Sequence, residues 1–125
     1  MNLVDSSGWL EYFANGKNCE FFSPAIQDTE NLIVSTINIY EVFKIVLQQR
    51  DENAALQAIA LMEQATVTDV DSSIALSAAR LSQELGLPMA DSLILATVRR
   101  FDATLWTQDS DFANLPDVEY VKTKR

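Results

Sequence analysis

"NLIVSTINIYEVFKIVLQQR", residues 31–50, is a short apolar run that passes directly into a helical pattern with no hairpin turn between them. "NLIVS" has the length and composition of a strand, and "TINIYEVFKIVLQQR" spaces its apolar residues three and four apart, as a helix does. A strand that feeds straight into a helix wants a parallel neighbour, because parallel strands need a long crossover between them. The same grammar recurs in both directions. Upstream, "MNLV" is a short apolar run ended by Asp5, and "SGWLEYFA" has helical spacing. Residues 18–28 form a weaker helix, expected to be cut near Ser23–Pro24. Downstream, residues 51–65 are helical, with Asp51 and Glu52 at the positive end, and 66–70 is a third strand. "DSSIALSAARLSQELG", 71–86, predicts a helix capped by Asp71 or Ser72, striped by Ile74, Ala78, Leu81 and Leu85, and stopped by Gly86. Pro88 suits the start of a helix over 88–101, "ATLWT" is a fourth strand and "VEYVKT" a fifth. Strands separated by helices imply a three-layer α/β/α sandwich around a parallel sheet of about five strands. Two helices in each of the first three crossovers is one more than a minimal βαβ unit requires.

A chain of 125 residues is expected to be one domain, 1–125, with a single good core. Its 48% hydrophobic and 22% charged residues belong to a folded protein. No apolar run approaches the roughly 18–20 residues of a membrane span. The N-terminus lacks the basic and long apolar regions of a signal peptide. With Cys19 alone there is no internal disulfide, and a cytoplasmic location is expected. The chain has no histidine. That removes Ser-His-Asp and Cys-His catalysis and argues against a conventional zinc site. Metal binding or acid–base chemistry must then use carboxylates, which favour hard cations such as Mg²⁺ or Mn²⁺. A net charge of −9 argues against simple phosphate gripping, so a nucleic-acid substrate would need a metal or a local basic patch.

Four acids stand out. Asp5 ends the first strand, Glu41 lies on the helix after the second, Asp91 opens the helix before the fourth, and Asp109 follows the fourth. Functional groups in parallel α/β sheets gather at the carboxyl ends of strands. Each acid also has a plainer role: Asp5 as a helix cap, Asp91 as a first-turn acid, Asp109 and Asp111 as turn formers. Asp111 would reach a metal only if its turn curls back, and otherwise would cap a short helix beginning at Phe112. Glu41 shares a helix side with Ile37, Tyr40, Lys44 and Ile45, which predicts a buried stripe. A buried carboxylate needs a partner, a metal or a shifted pKa, and Lys44 is the nearest candidate partner. Asp91 likewise shares a face with Ile94, Leu95 and Val98. Crowded carboxylates repel unless a cation holds them, and such a cation polarises a phosphodiester and acidifies its bound water.

Four strings in order, "LVDSSGWLEYF", "INIYEV", "LPMADSLILAT" and "TLWTQDSDF", resemble the PIN-domain family over essentially the whole chain, specifically the VapC-type toxins of toxin–antitoxin pairs. The resemblance implies sheet order 3-2-1-4-5. It implies metal-coordinating, catalytic roles for Asp5, Glu41, Asp91 and Asp109, with Asp111 as an accessory ligand and Ser6 and Thr107 orienting the carboxylates. Val98 departs from the family's smaller residue, a difference expected to alter packing and not the ligands. The activity implied is Mg²⁺- or Mn²⁺-dependent endoribonuclease action on tRNA or ribosomal RNA, with water attacking in line to leave a 5′-phosphate and a 3′-hydroxyl. A cognate basic antitoxin and a homodimer are expected partners. The aromatics Trp9, Tyr12, Phe13, Phe21 and Phe22 suggest a partner surface beyond what one core uses. Lys44, Arg99, Arg100 and the tail "VKTKR" are candidate RNA contacts. Two alternatives are a PIN fold that binds without cleaving and a phosphoacceptor receiver domain. The latter wants an acidic pair after the first strand, where this chain has "DSS", and does not fit the double-helix crossovers.

Overall fold

The alternation of side chains along three central strands divides the core into two faces. In the computed structural model, which describes residues 1–124, the strands are β1 (Asn2–Val4), β2 (Leu32–Ser35), β3 (Thr66–Thr68), β4 (Thr104–Thr107) and β5 (Val118–Tyr120). All pair in parallel, in the order β3-β2-β1-β4-β5. Helices α1 (Ser6–Phe13) and α2 (Cys19–Gln27) join β1 to β2, α3 (Thr36–Gln49) and α4 (Glu52–Met62) join β2 to β3, and α5 (Ser72–Leu85) and α6 (Met89–Arg100) join β3 to β4. The expected double crossovers are therefore present. Leu3, Ile33 and Leu105 face one way and pack with Ile74, Ala78, Ile94, Leu95 and Phe112, under α5 and α6. Val4, Leu32 and Val34 face the other way and pack with Trp9, Phe22, Val42 and Met62, under α1 to α4. Two helices cover one face and four the other. Among the described residues no helix is long and apolar enough to cross a membrane.

Local chemistry accounts for most element ends. Asp51 and Asp71 cap α4 and α5, each accepting a backbone N–H three residues on. Gly86 closes α5 at φ 70°, the left-handed region that glycine enters without a Cβ clash. Three local readings are corrected. Pro24 does not cut α2, which runs through it. Glu20 and Pro24 are both exposed, so water can satisfy the carbonyl that Pro24 leaves without a donor, while Phe22, Ala25 and Ile26 are buried and hold the helix down. On α5, Leu85 is 42% exposed and the buried stripe ends at Leu81. On α3, the buried positions are Asn38 and Val42, while Tyr40 is 60% exposed and Glu41 only half-buried. The expected stripe through Tyr40, Glu41 and Lys44 is thus rotated away from the core. Val98 is buried among the residues of the α5–α6 face.

Candidate metal centre

Because β1 and β4 are neighbours, residues a hundred positions apart meet where both strands end. The Asp5 N–H donates to the Trp106 carbonyl at 3.1 Å. Asp5 is also the N-cap of α1: its Oδ1 accepts from Gly8 N–H at 3.0 Å and from the Ser7 hydroxyl at 2.8 Å. Capping therefore explains one of its oxygens. The other, Oδ2, accepts from the Thr107 hydroxyl at 2.5 Å, and that hydroxyl accepts in turn from Asp109 N–H at 2.9 Å. Thr107 thus ties the two strand ends together.

Asp109 caps a short 3-10 turn, Ser110–Phe112, its Oδ1 accepting from Asp111 N–H at 2.9 Å. The cap is Asp109, not Asp111 as the sequence suggested. The turn curls back, and this brings Asp111, itself exposed, toward Asp91. One carboxylate oxygen each from Asp91, Asp109 and Asp111 lie within 4.8 Å of one another. Oxygens sharing one octahedral ion at about 2.0–2.1 Å stand about 2.9–4.2 Å apart, so small side-chain adjustments suffice for the three to share a cation.

Electrostatics give the same account. Burial pushes the Asp91 carboxyl up to about 7, and the charges of Asp109, Asp111 and Asp5 together with a hydrogen bond to Asp111 add to the rise. Burial also raises Asp5, which is 5% exposed, to about 6. It does so against the hydrogen bonds from Thr107, Ser7 and Gly8, with Asp109 adding repulsion. Burial is the larger cause of both rises; the smaller one, repulsion from the neighbouring acids, is the one a bound cation would relieve. The donors are all carboxylate oxygens, which suits a hard divalent cation.

Glu41 reaches the same end of the sheet by another route. Its Oε1 accepts from the Ser6 hydroxyl at 2.6 Å, and Ser6 Oγ accepts from Asn38 Nδ2 at 3.1 Å. Asn38 is fully buried and forms a capping box with Ser35 at the end of β2, so it locks Ser6 to that strand. Ser6 is then the partner that Glu41 needs. Lys44 is not that partner; it stands over the Tyr40 ring at 5.8 Å. Glu41 lies outside the trio whose oxygens crowd together.

Arg99 and Arg100 occupy the last turn of α6, at the opposite end of the helix from Asp91. A 12-residue helix is about 18 Å long, which separates these guanidinium groups from the acids. Arg100 instead pairs with Asp71 at 3.3 Å. Of the tail, Lys122 and Thr123 border a cavity beside Asp109, and Arg125 lies outside the described residues. Trp9 and Phe22 are buried in the core, while Tyr12, Phe13 and Phe21 are half-buried against it. The expected surplus aromatic surface is largely core. Asn38 and Asn18 were not anticipated. The serine-to-asparagine spacing over 35–38 carried a capping signal for the first, and nothing local marked the second.

Solved structures that superpose on the chain include a toxin–antitoxin complex from Klebsiella pneumoniae, at 23% identity and TM-score 0.79, covering 95% of this chain and 96% of that one. Another is VapC20 from Mycobacterium tuberculosis, described as a sarcin-ricin loop cleaving toxin, at 16% identity and TM-score 0.77, covering 93% and 95%. A third is VapBC2 from Rickettsia felis, bound to a DNA fragment from its promoter, at 14% identity and TM-score 0.75, covering 95% and 97%. At these identities the likeness speaks to the fold. Among curated proteins none matches the sequence. The sequence model of the PIN domain matches residues 3–118, nearly the whole length over which the strand ends and their acids are laid out, and the chain belongs to the PIN domain family.

Proposed function

We propose that the chain, residues 1–125 as one domain, is a cytoplasmic endoribonuclease toxin that cleaves tRNA or ribosomal RNA with Mg²⁺ or Mn²⁺ and is held in check by a basic antitoxin. The observation that carries this reading is the convergence of Asp91, Asp109 and Asp111 beside the buried Asp5, with Asp91 raised to about 7. Asp5, Asp91 and Asp109 would hold the cation, with Asp111 completing the set and Glu41 steered by Ser6. A bound divalent ion supplies a more acidic water and neutralises charge that develops on a phosphodiester. The chain's own contribution is orientation. Thr107 fixes Asp5 relative to Asp109, and Ser6, held by Asn38, aims Glu41. A cation at this place also offsets the −9 net charge that otherwise repels RNA.

Several solved relatives of the fold are toxin–antitoxin complexes, which supports an antitoxin for this chain. The groove between α1 and α3, about 450 Å³ and lined by Leu10, Phe13, Ile45 and Val46 among others, suits its apolar residues, and the acid cluster suits a basic side chain. Exposed Leu76 and Met89, at 62% and 74%, suit burial in a homodimer. The test is end-mapping of total cellular RNA after brief induction of the protein and of its Asp109→Asn variant. New 5′-phosphate ends at one site, absent with the variant and absent in excess chelator in vitro, are expected. Identical RNA ends from both proteins would defeat the nuclease reading.

A further inference from the structure

At the turn that carries Asp109 lies a cavity of about 500 Å³ lined by Gln108, Ser110, Tyr120, Lys122 and Thr123. Among the described residues no acid lines it, although Gln108 and Ser110 each adjoin Asp109 in the chain. Its walls are the turn after β4 and the end of β5 with the segment that follows it, and several hydrogen bonds staple them. Val121 N–H donates to the Thr107 carbonyl at 3.0 Å, and the Thr123 hydroxyl donates to the Gln108 carbonyl at 3.1 Å. Asn18, 2% exposed, crosses from the start of α2 and donates from Nδ2 to Gln108 Oε1 at 2.9 Å and to the Lys122 carbonyl at 3.0 Å.

That last pair decides how Gln108 is presented. The Lys122 carbonyl can only accept, so the NH₂ of Asn18 must face it and Gln108 together. Gln108 therefore turns its own carboxamide oxygen toward Asn18, and its NH₂ is directed away from Asn18. Asn18 Oδ1 is left buried without a partner. Burying an unpaired amide oxygen costs folding free energy, and here it accompanies a wall fixed at two points.

We propose that this cavity binds one nucleotide of single-stranded RNA immediately beside the scissile phosphate, and so determines base preference. The proposal rests on the nuclease reading above and adds a substrate-recognition site to it. Single-stranded RNA is read by stacking splayed bases on aromatic side chains and by hydrogen bonds to their edges. Tyr120 supplies the aromatic face, the Gln108 amide supplies donors for a base-edge carbonyl or ring nitrogen, and Lys122 supplies a charge for the flanking phosphate. The hydroxyls of Ser110 and Thr123 are polar without being acidic, so this wall does not add to the repulsion from the cluster. The volume lies within the roughly 300–1,000 Å³ of small-ligand sites.

The experiment titrates the intact protein, in chelator, with each of the four ribonucleoside 5′-monophosphates and with inorganic phosphate, following the Tyr120 ring and Gln108 amide by NMR. Saturable shifts are expected at both residues, with one base favoured. Tyr120→Leu should weaken every nucleotide by about 10- to 100-fold, the loss of one stacked base, while Tyr120→Phe keeps the binding. Gln108→Leu should level the ranking among bases, and Lys122→Gln should weaken all four nucleotides equally. Absence of shifts, or phosphate binding as tightly as the nucleotides, would overturn the proposal. If nucleotides bind in this way and no RNA is cut, the cavity stands and the nuclease reading falls. If RNA is cut without base preference and no nucleotide binds, the reverse holds.

Discussion

Asp91→Asn should make the metal-free protein more stable while abolishing cleavage. The Asp91 carboxyl stands at about 7, raised first by burial and then by Asp109, Asp111 and Asp5. A carboxyl with a folded pKa above its unfolded value of 3.8 holds its proton more tightly in the folded state. Its contribution to stability is therefore complete below about pH 4 and is lost as the pH rises through about 7. Asp5, at about 6, adds the same trend at slightly lower pH. Full conversion of the Asp91 shift would correspond to about 4 kcal/mol, at about 1.4 kcal/mol per pKa unit. The group is partly open to solvent, and screening reduces this to about 1–2 kcal/mol. Asparagine removes the charge and keeps a donor toward Asp111. In excess chelator at pH 8 the variant should melt about 3–8 °C above the parent chain. Its stability should also fall less between pH 5 and pH 8. Millimolar Mg²⁺ should raise the Tm of the parent chain by mass action and leave the variant unchanged. Thermal melts in chelator at several pH values decide the matter. A variant less stable than the parent at pH 8, or an equal slope between pH 5 and 8, would refute the view that a charge at Asp91 is disfavoured by its burial and its acidic neighbours.

Other perturbations probe the supports of the site. Gly8→Ala places a Cβ 2.5 Å from Val4 Cγ1 and 2.7 Å from Phe22 Cε1, so urea unfolding should show a loss of about 1–3 kcal/mol; unchanged stability would mean that this wall of the core is soft. Thr107→Val removes the hydroxyl shared by Asp5 and Asp109 and should cost about 1–3 kcal/mol by the same assay, with apparent metal affinity falling about 10- to 100-fold by calorimetry. Asp109→Asn should lose cleavage by orders of magnitude with little change in Tm. Asp111→Asn should still cut at high Mg²⁺ with a concentration requirement about tenfold higher, and an unchanged Mg²⁺ requirement would make Asp111 a bystander.

The periodic patterns were sufficient for the elements because those patterns are local. Strand-length apolar runs, the acids Asp51 and Glu52 at a helix start, the cap at Asp71 and the glycine stop at Gly86 act over a few residues, and all appear in the fold. The rotation of α3 was harder to read. Its apolar residues are spread around the helix, and the position that settles the buried face is a polar one, Asn38, whose burial depends on Ser6 of another element. Pro24 misled for the opposite reason, since a helix break is a local rule that exposure and the packing of Phe22 and Ile26 override.

By itself the sequence determined an acidic, histidine-free α/β chain in which any metal must be held by carboxylates, and it marked the acids at strand ends. Which of those acids meet was decided by tertiary structure. The pairing of β1 with β4 brings Asp5 to Thr107, the 3-10 turn carries Asp111 back to Asp91, and the length of α6 holds Arg99 and Arg100 away. Strand order and turn direction arise from contacts between segments far apart in the chain. Composition and local spacing carry no record of which distant segment will supply the partner.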